Sequence, residues 1–569
     1  MPTTVTNEVI TMPEPSNQKP SPADSTSAGP GHRSPQRASA TENPTPTEKP
    51  QPEAPPTEVF AVYGVEPEIQ AYAMAKYSRS SLSMKESLRE ISSQKAEKFL
   101  NTFYFQYGHR SIADLAHIAL AVERLSILAA IELADEQRWD GQERSTRYQD
   151  FKKSGYYIPD FGPAGPGNDE ASEARQLYCD TLDFLFAEYQ ALSAHMTQHL
   201  INITPKPAEM RQETYERTLK ARAFDITRYL LPLATNTSLG EIVNARTLET
   251  QVAHLLSHTH KEVRILGESL KKAATSAAYN VNAESLKKLV DDIRAVDPEL
   301  GARAEQELLH EVRVAPTLVK YADPNPYEME TRRELRQAAT ELMKSESVAP
   351  SKAIVDLLDE EPLEVEIATT LLYEHCHHSY RQVRQALQVS GERYRREIID
   401  LGLRHRGKHD EMLRGFRAGQ QFRFDILMDT GGFRDMHRHR RCIQVMQAFT
   451  TQHGYEMLLD VEDAGMRLRY DSAMRRVQAA IEKLAARNAP EAEENSQYAI
   501  PLAYRKRALF KMDFAEVVYI SELRTTPAGH VSYRNVAYAM YEAVARKYPA
   551  LAKYFRVHDV TAPVDLLQR

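Results

Sequence analysis

Two short stretches share one pattern and decide how the chain is organised: Tyr-Leu-Leu-Pro-Leu-Ala at residues 229–234 and Tyr-Ala-Ile-Pro-Leu-Ala at residues 498–503. Shortly after each proline, a segment of helical character begins, at 244 in the first case and at 513 in the second. Self-similarity of this kind indicates an internal duplication. Identity between the halves is low, so the hypothesis depends on the residues that could carry chemistry.

Helical periodicity dominates both halves. Apolar residues recur three and four positions apart over residues 113–134 and 170–201, which is typical of amphipathic helices. Strand-like runs are few: residues 58–63 and 421–428 are the best, and 515–520 fits either a strand or a helix. We therefore expect an α+β fold, mainly helical, with a small sheet in each of two tandem domains.

Proline usage marks the domain boundaries. Of the 31 prolines in 569 residues, 13 lie in residues 1–56, which contain no Phe, Tyr or Trp. Such a segment buries too little apolar surface to offset its ordering entropy, so we expect a disordered tail. A second proline cluster lies at 298–326. We expect one repeat over 57–305 and the other over 306–569.

Composition excludes several classes of protein. No apolar run reaches 18 residues, and the first 30 residues lack a basic start followed by an apolar core, so neither a membrane span nor a secretory signal is expected. Three cysteines cannot form a disulfide framework, which fits a reducing cytoplasm. The net charge of −7 argues against a nucleic-acid binder.

The most concentrated chemical signal is Arg-Asp-Met-His-Arg-His-Arg-Arg at residues 434–441. Arginine presents paired planar donors suited to phosphate, and histidine adds a donor that titrates near neutral pH. Gly431 and Gly432 precede the cluster and permit a tight turn. The pattern favours a site for a phosphorylated small molecule, and a solvated basic surface is the alternative.

Three further segments offer polar groups in suggestive patterns. Residues 142–148 alternate a carboxylate, a hydroxyl and a guanidinium, Asn-Ala-Arg stands at 244–246, and Glu-Leu-Arg-Thr-Thr-Pro-Ala-Gly-His fills 522–530. The last two offer donors near possible helix ends, where anions are favoured. The three cysteines, at 179, 376 and 442, are too far apart to form the closely spaced Cys pair of a structural zinc site, so no metal site is predicted.

Together these residues resemble the flavin-dependent thymidylate synthases, also called thymidylate synthase complementing proteins. The hallmark of that family is Arg-His-Arg, a short spacer, and Glu-x-Ser-x-Arg-Tyr. The first half keeps the second element at 143–148 but reads Asp-Glu-Gln at 135–137 in place of the first. The second half keeps Arg-His-Arg at 438–440, but reads roughly Thr-Gln-His-Gly-Tyr at 451–455 in place of Ser-x-Arg-Tyr.

The losses in the two halves are complementary. In the family, several subunits of a homotetramer build each active site, one giving the Glu-x-Ser-x-Arg loop and another giving Arg-His-Arg and a late Arg. Here the late Arg is Arg524, where the first half has Leu255, and Asn-Ala-Arg at 244–246 becomes approximately Asp-Phe-Ala at 513–515. The resemblance therefore implies a fused duplication that retains half of the original sites and forms a homodimer mimicking the tetramer.

The activity implied by the resemblance is reductive methylation of dUMP to dTMP. Methylenetetrahydrofolate would supply the carbon, and FAD reduced by NADPH would supply the hydride. The residues implied for dUMP are Glu143, Ser145, Arg147, Arg228, Arg438 and Arg524. Ser145 and Arg524 are the implied catalytic residues. The residues implied for FAD are His109, Ser111, Asn244, Arg246, His409, Arg438, His439, Arg440 and His530.

Two departures from the family pattern leave alternatives open. Asp435 stands where the family has Gln beside the nucleotide, and Gln142 replaces an Asn. A carboxylate near a phosphate is unfavourable unless paired, and Arg434 or Arg441 are its expected partners. The alternatives are a catalytically altered paralogue that binds flavin or nucleotide without making dTMP, and a non-enzymatic helical scaffold with a basic anion-binding cluster.

Overall fold

A computed structural model describes residues 64–76, 86, 88, 110–162, 169–351, 353–408 and 410–567. The predicted tail over 1–56, the predicted strand over 58–63, and the two predicted flavin contacts His109 and His409 lie outside these residues. By its contacts the chain divides into residues 1–62, which are not among those described, and residues 63–569, to which all of the following refers.

The first half contains a three-stranded sheet surrounded by helices. Its strands are β1 (His117–Ser126), β2 (Asp140–Glu143) and β3 (Asn236–Asn244), antiparallel in the order β1-β3-β2. Within the described residues of this half, the helices are α1 (Pro67–Lys76), α2 (Ile127–Ala134), α3 (Asp169–Ile203), α4 (Gln212–Thr227), α5 (Ala245–Leu256), α6 (Lys261–Thr275), α7 (Ala283–Val296) and α8 (Pro298–Leu308).

The second half repeats this plan with a four-stranded sheet. Its strands are β4 (Val355–Leu357), β5 (Phe422–Asp429), β6 (Ile443–Met446) and β7 (Arg505–Met512), antiparallel in the order β4-β5-β7-β6. Its helices are α9 (Pro326–Met343), α10 (Leu363–Tyr373), α11 (Tyr380–Leu403), α12 (Thr430–Met436), α13 (Leu459–Asp463), α14 (Arg467–Ala485), α15 (Ala492–Gln497), α16 (Phe514–Arg524), α17 (Val531–Lys547) and α18 (Pro549–Ala552).

These elements confirm the predicted fold class, mainly helical with a small sheet in each half. The helix predicted over 113–134 is wrong for residues 117–126, which pair with β3 as strand β1, and the α-helix begins at Ile127. The predicted strand over 421–428 is β5, whereas 515–520 lies in helix α16. The helix is favoured there because the side chain of Asp513 accepts a hydrogen bond from the Glu516 amide and caps its first turn. No helix among the described residues is both long and apolar enough to cross a membrane.

Matching caps show that the halves share one plan. Asn244, the last residue of β3, caps α5 by accepting from the Thr247 amide, and Asp513, directly after β7, caps α16. Ser126 at the end of β1 caps α2, and Asp429 at the end of β5 caps α12. At these two equivalent places in each half, a short polar side chain at the strand end thus starts the following helix.

The two proline-containing stretches lie against each other at the junction of the halves. The Leu233 amide donates to the Ile500 carbonyl (2.9 Å), and reciprocally the Leu502 amide donates to the Leu231 carbonyl (2.9 Å). In a second reciprocal pair, the Ala234 amide donates to the Tyr498 carbonyl (2.8 Å) and the Ala503 amide donates to the Tyr229 carbonyl (3.1 Å). Every bond therefore has a counterpart with the halves exchanged, so the junction has the local symmetry of a two-fold axis.

Aromatic contacts repeat the exchange around this junction. Tyr229 of the first half stacks on His530 of the second, with ring centroids 5.4 Å apart. Tyr498 of the second half lies 5.5 Å from His260 of the first, edge to face. One hydrophobic core runs through both halves and contains both tyrosines. The two repeats therefore share a core and are not separate domains joined by a linker.

The buried imidazole of His260 predicts a specific pH dependence of stability. Burial lowers its pKa to about 3, so folding is disfavoured once the unfolded-state imidazole protonates below its ordinary value of about 6.5. His260→Asn keeps a good N-cap residue for α6 and removes this titration. Between pH 7.5 and 5.0 the wild type should lose about 2 kcal/mol of unfolding free energy more than the variant.

Chemical denaturation of both proteins at several pH values measures this difference. Carboxylates shared by both proteins cancel in the comparison. Unfolding free energies that fall in parallel with pH would contradict a neutral, buried His260.

Candidate functional site

The Arg-His-Arg segment is placed by the strand-helix unit of β5 and α12. Asp429 accepts a hydrogen bond from the Gly432 amide (2.6 Å) and starts α12, which ends just before residues 438–440. Gly431 and Gly432 lie inside this helix, so the predicted tight turn is wrong. Gly432 is required for another reason: a Cβ there would lie 2.5 Å from the Ser532 hydroxyl oxygen of α17.

Arg147 links the two halves directly. Its Nε and Nη2 donate to the two carboxylate oxygens of Asp225, each at 2.9 Å, and Nη1 donates to the Tyr533 hydroxyl of the second half (2.9 Å). Burial acts to lower the pKa of Arg147, but the charge of Asp225 outweighs it and holds that pKa above its usual value. The guanidinium is therefore a fixed cation, oriented by a bidentate carboxylate.

A second contact across the junction involves Glu143 at the end of β2. The Arg434 guanidinium of α12 forms an ion pair with Glu143 and also donates to the Thr146 hydroxyl (3.1 Å). Arg228 donates to the same hydroxyl (3.4 Å) and is 2% exposed. Two arginines from different halves thus converge on Thr146, beside the loop that carries Ser145.

Arg524 and His439 form the next part of the site. The Nε of Arg524 donates to Nε2 of His439 (2.8 Å), which must therefore be unprotonated, and Nδ1 faces Glu516 at 3.5 Å. Burial lowers the pKa of His439, with the Glu516 hydrogen bond opposing. Arg524 and Arg147 each lie 5.6 Å from the centroid of the Tyr533 ring, so this one ring contacts an arginine from each half.

Asp435 lies among these cations. Its nearest partner is Arg228, at 3.8 Å. The predicted partners are wrong: Arg434 pairs with Glu143, and Arg441 reaches Asp513 (3.3 Å) on the surface. The reason is that α12 directs Arg434 across the junction to β2, whereas Arg228 approaches from the end of α4.

An open cleft of about 380 Å³ is also lined by both halves, and two of its residues, Arg438 and Arg440, flank His439 in the sequence. Arg438, Arg440 and Asn244, all predicted flavin contacts, line it together with the ring of Trp139. The remaining predicted flavin residues are placed elsewhere: Ser111 is exposed on the short 3-10 helix Arg110–Leu115, Arg246 pairs with Asp114 (3.3 Å), and His530 is buried against Tyr229.

Three contributing residues were missed by the sequence interpretation: Asp225, Tyr533 and Trp139. Asp225 precedes Arg228 by one helical turn of α4, a spacing that favours an ion pair. The other two carry no comparable signal, because their partners Arg147 and Arg440 belong to the opposite half and only the junction brings them together.

The exchange of halves defines a counterpart site with different side chains. Because Glu143 pairs with Leu239 and Met446 pairs with Ala508, strands β2 and β6 correspond, and residues 448–451 follow β6 as 145–148 follow β2. The predicted correspondence of 451–455 is therefore shifted. Tyr455 instead matches Tyr156, since each forms the same isolated bridge beside the junction.

Apolar side chains fill the counterpart site. In the order Glu143, Thr146, Arg434, Arg524 and Tyr533, the corresponding residues are Met446, Phe449, Ile131, Leu255 and Val263. Four of these five belong to the main hydrophobic core and Met446 packs against it. Arg147 and Arg228 correspond to Thr450 and Gln497, so the four guanidiniums of the first site have no equivalent here.

The family model described as thymidylate synthase complementing protein matches the chain in two segments, residues 62–278 and 355–550. The chain belongs to this family. The two segments contain the two sheets, and the duplicated form is the one expected from the sequence.

Relatives of two kinds agree with this membership. A UPF0159 protein of Chlamydia muridarum is 26% identical over 525 residues, covering 88% of this chain and 92% of the relative. A flavin-dependent thymidylate synthase of Clostridium tetani is 24% identical over 220 residues, covering 38% of this chain and 82% of that enzyme. Among solved structures, a flavin-dependent thymidylate synthase of Helicobacter pylori complexed with FAD and dUMP aligns with a TM-score of 0.24 at 18% identity, covering 37% of this chain and 89% of that one.

The cleft offers hydrogen-bond donors to an anionic ligand. Arg438 and Arg440 supply cationic donors, and the buried Nε of Arg440 has no hydrogen-bond partner within the described part of the chain. The Asn244 carbonyl oxygen caps α5, which leaves its amide hydrogens to donate. The donor set therefore suits an anionic group bound next to a ring.

The Arg147–Asp225 pair yields a prediction about stability. Asp225→Asn leaves a buried guanidinium without its counter-charge, which should lower the free energy of unfolding by about 3 kcal/mol. Asp292→Asn, an exposed change of the same charge on α7, is the matched control and should stay within about 0.5 kcal/mol of the wild type. Denaturant titration compares the three proteins, and equal stability of the two variants would contradict the pairing.

Proposed function

We propose that this chain catalyses the FAD-dependent reductive methylation of dUMP to dTMP, with methylenetetrahydrofolate as carbon donor and NADPH as reductant. The observation that carries the proposal is the meeting of two residue sets in one place. Arg147 of the first half and Arg524 of the second contact the same Tyr533 ring. The family draws these two sets from different subunits, and here one chain supplies both.

The nucleotide would be held by the arginine cluster. Arg228 is buried, and its Nε and Nη2 form no hydrogen bond among the residues the structure describes, with Asp225 and Asp435 lying 3.5 and 3.8 Å away. These two donors would turn to a bound phosphate. Glu143 and Ser145 would hold the nucleotide from the first half, and Arg438 from the second. Arg524 would face the uracil ring, where a guanidinium stabilises negative charge that develops as the ring is activated.

The cleft would hold FAD through Arg438, Arg440 and Asn244. When bound, the flavin supplies the hydride. His439 is neutral and accepts from Arg524, so its role would be to orient that arginine rather than to carry charge.

We assign the first repeat to 57–305 and the second to 306–569, and propose a homodimer that mimics the family tetramer, acting in the cytoplasm.

One observation favours a second candidate. Asp435 lies 3.8 Å from Arg228, and Asp225 occupies two donors of Arg147, so carboxylates compete with a nucleotide phosphate for both guanidiniums. A paralogue that binds flavin and nucleotide without producing dTMP would tolerate this competition. The two candidates differ in turnover and not in binding.

A spectroscopic and product assay on the full-length protein separates the candidates. We expect an oxidised flavin band that NADPH bleaches, and dTMP formation when dUMP and methylenetetrahydrofolate are added. Arg438→Ala should lose flavin because it removes a phosphate donor. Arg393→Ala, at a side chain 94% exposed on α11, is the matched control and should retain it.

Each other outcome has a defined meaning. Stoichiometric flavin without dTMP would favour the altered paralogue. A wild-type protein that takes up no added FAD would contradict both candidates. Unchanged flavin content in Arg438→Ala would contradict the assignment of Arg438 to the flavin.

A further inference from the structure

Trp139, the single tryptophan of the chain, lines the cleft and is held there by packing and by a hydrogen bond. It immediately precedes β2 and is 4% exposed. Its ring packs on Gly141, where an added Cβ would lie 2.6 Å from a ring carbon. Its Nε1 donates to Oε2 of Glu241 at 2.5 Å. Both the ring plane and its in-plane rotation are therefore constrained.

Glu241 is an unusual partner for this indole. It lies on the central strand β3 and is 2% exposed, and burial raises its pKa to about 7. Gln251 donates to the same oxygen (3.3 Å) and to the Leu133 carbonyl (2.9 Å). The other carboxyl oxygen has no hydrogen-bond partner within the described ranges. A backbone carbonyl would have satisfied the indole N–H, so a buried carboxyl here calls for a role.

Arg440 of the second half lies over the ring of Trp139, with its guanidinium carbon 4.2 Å from the ring centroid. Stacking uses the face of a guanidinium and leaves its edge free for bidentate bonds. In the counterpart site, the position of Arg440 is taken by Gln137 and the position of Trp139 by Cys442. The stack is thus specific to the retained site and forms only because the halves meet.

We propose that Trp139, anchored by Glu241, is a positioning residue that holds the Arg440 guanidinium ready for a phosphate of the ligand in the cleft. This inference rests on the proposed function, since it takes FAD as that ligand. A guanidinium restrained by stacking loses less side-chain freedom when it binds phosphate than a free one does. The benefit therefore concerns the phosphate-bearing part of the ligand and not its ring.

Comparison of FAD with riboflavin tests this role, because riboflavin has the same ring system and no phosphate. Titrations of full-length protein followed by flavin fluorescence should show about tenfold weaker FAD binding in Trp139→Leu, and about threefold or less in Trp139→Phe, which keeps an aromatic face. Riboflavin should bind the wild type and both variants equally. In the wild type, FAD should also quench the emission of the single tryptophan.

Variants at Glu241 keep the tryptophan and test the anchor separately. Glu241→Gln retains an oxygen that accepts from the indole, so FAD affinity should remain within about twofold of the wild type. Glu241→Leu removes the acceptor and should weaken FAD binding about as much as Trp139→Leu, with riboflavin again unaffected.

The outcomes separate this inference from the proposed function. Wild-type protein that binds no FAD would overturn both. Wild-type affinity for FAD in Trp139→Leu and Glu241→Leu would overturn the positioning role alone. Equal losses for FAD and riboflavin would also overturn it, because they would indicate a general collapse of the cleft.

Discussion

The arrangement depends on the reciprocal backbone pairing of residues 229–234 with 498–503. Four hydrogen bonds join the stretches, and each has its counterpart with the halves exchanged. Arg228 and Gln497 immediately precede these stretches, so the pairing sets where α4 and α15 end relative to each other. The end of β2 in the first half also meets α12 of the second half, where Glu143 pairs with Arg434. The arginine cluster and the cleft therefore both depend on the junction, because each contains residues of both halves.

A symmetric junction makes two equivalent positions, and the two have diverged in opposite directions. One gathers arginines from both halves around Tyr533, whereas the other is filled by Phe449, Leu255 and their neighbours. One buried hydrogen bond occurs in both halves with its donor and acceptor positions interchanged. Ser126 donates to Glu262 in the first half, and in the second the hydroxyl belongs to Ser532 of α17 and the carboxylate to the cap Asp429. The framework has thus been conserved as geometry while the chemistry at each copy changed.

The duplication and the division of motifs between halves could be predicted from sequence, because caps, strands and the two proline stretches are local features. The strand β5 and the family membership followed from the same patterns. Partners of charged residues could not be predicted, since Arg434 bonds across the junction to Glu143 rather than to its neighbour Asp435. The correspondence of 448–451 with 145–148 could not be predicted either, because it is determined by strand pairing and residues 448–451 keep no recognisable motif. Trp139 belongs to none of the motifs that the sequence offered, and the fold is needed to bring it against Arg440.

The central claim is that one chain makes one nucleotide site from parts of both halves, while its counterpart is closed by core side chains. Native mass spectrometry of the FAD-loaded protein with dUMP counts the nucleotides bound per chain directly. The account predicts one dUMP per chain at saturation, lost in a variant of Arg147 from the first half and equally in a variant of Arg524 from the second. Two dUMP molecules per chain, or binding that survives either change, would contradict it.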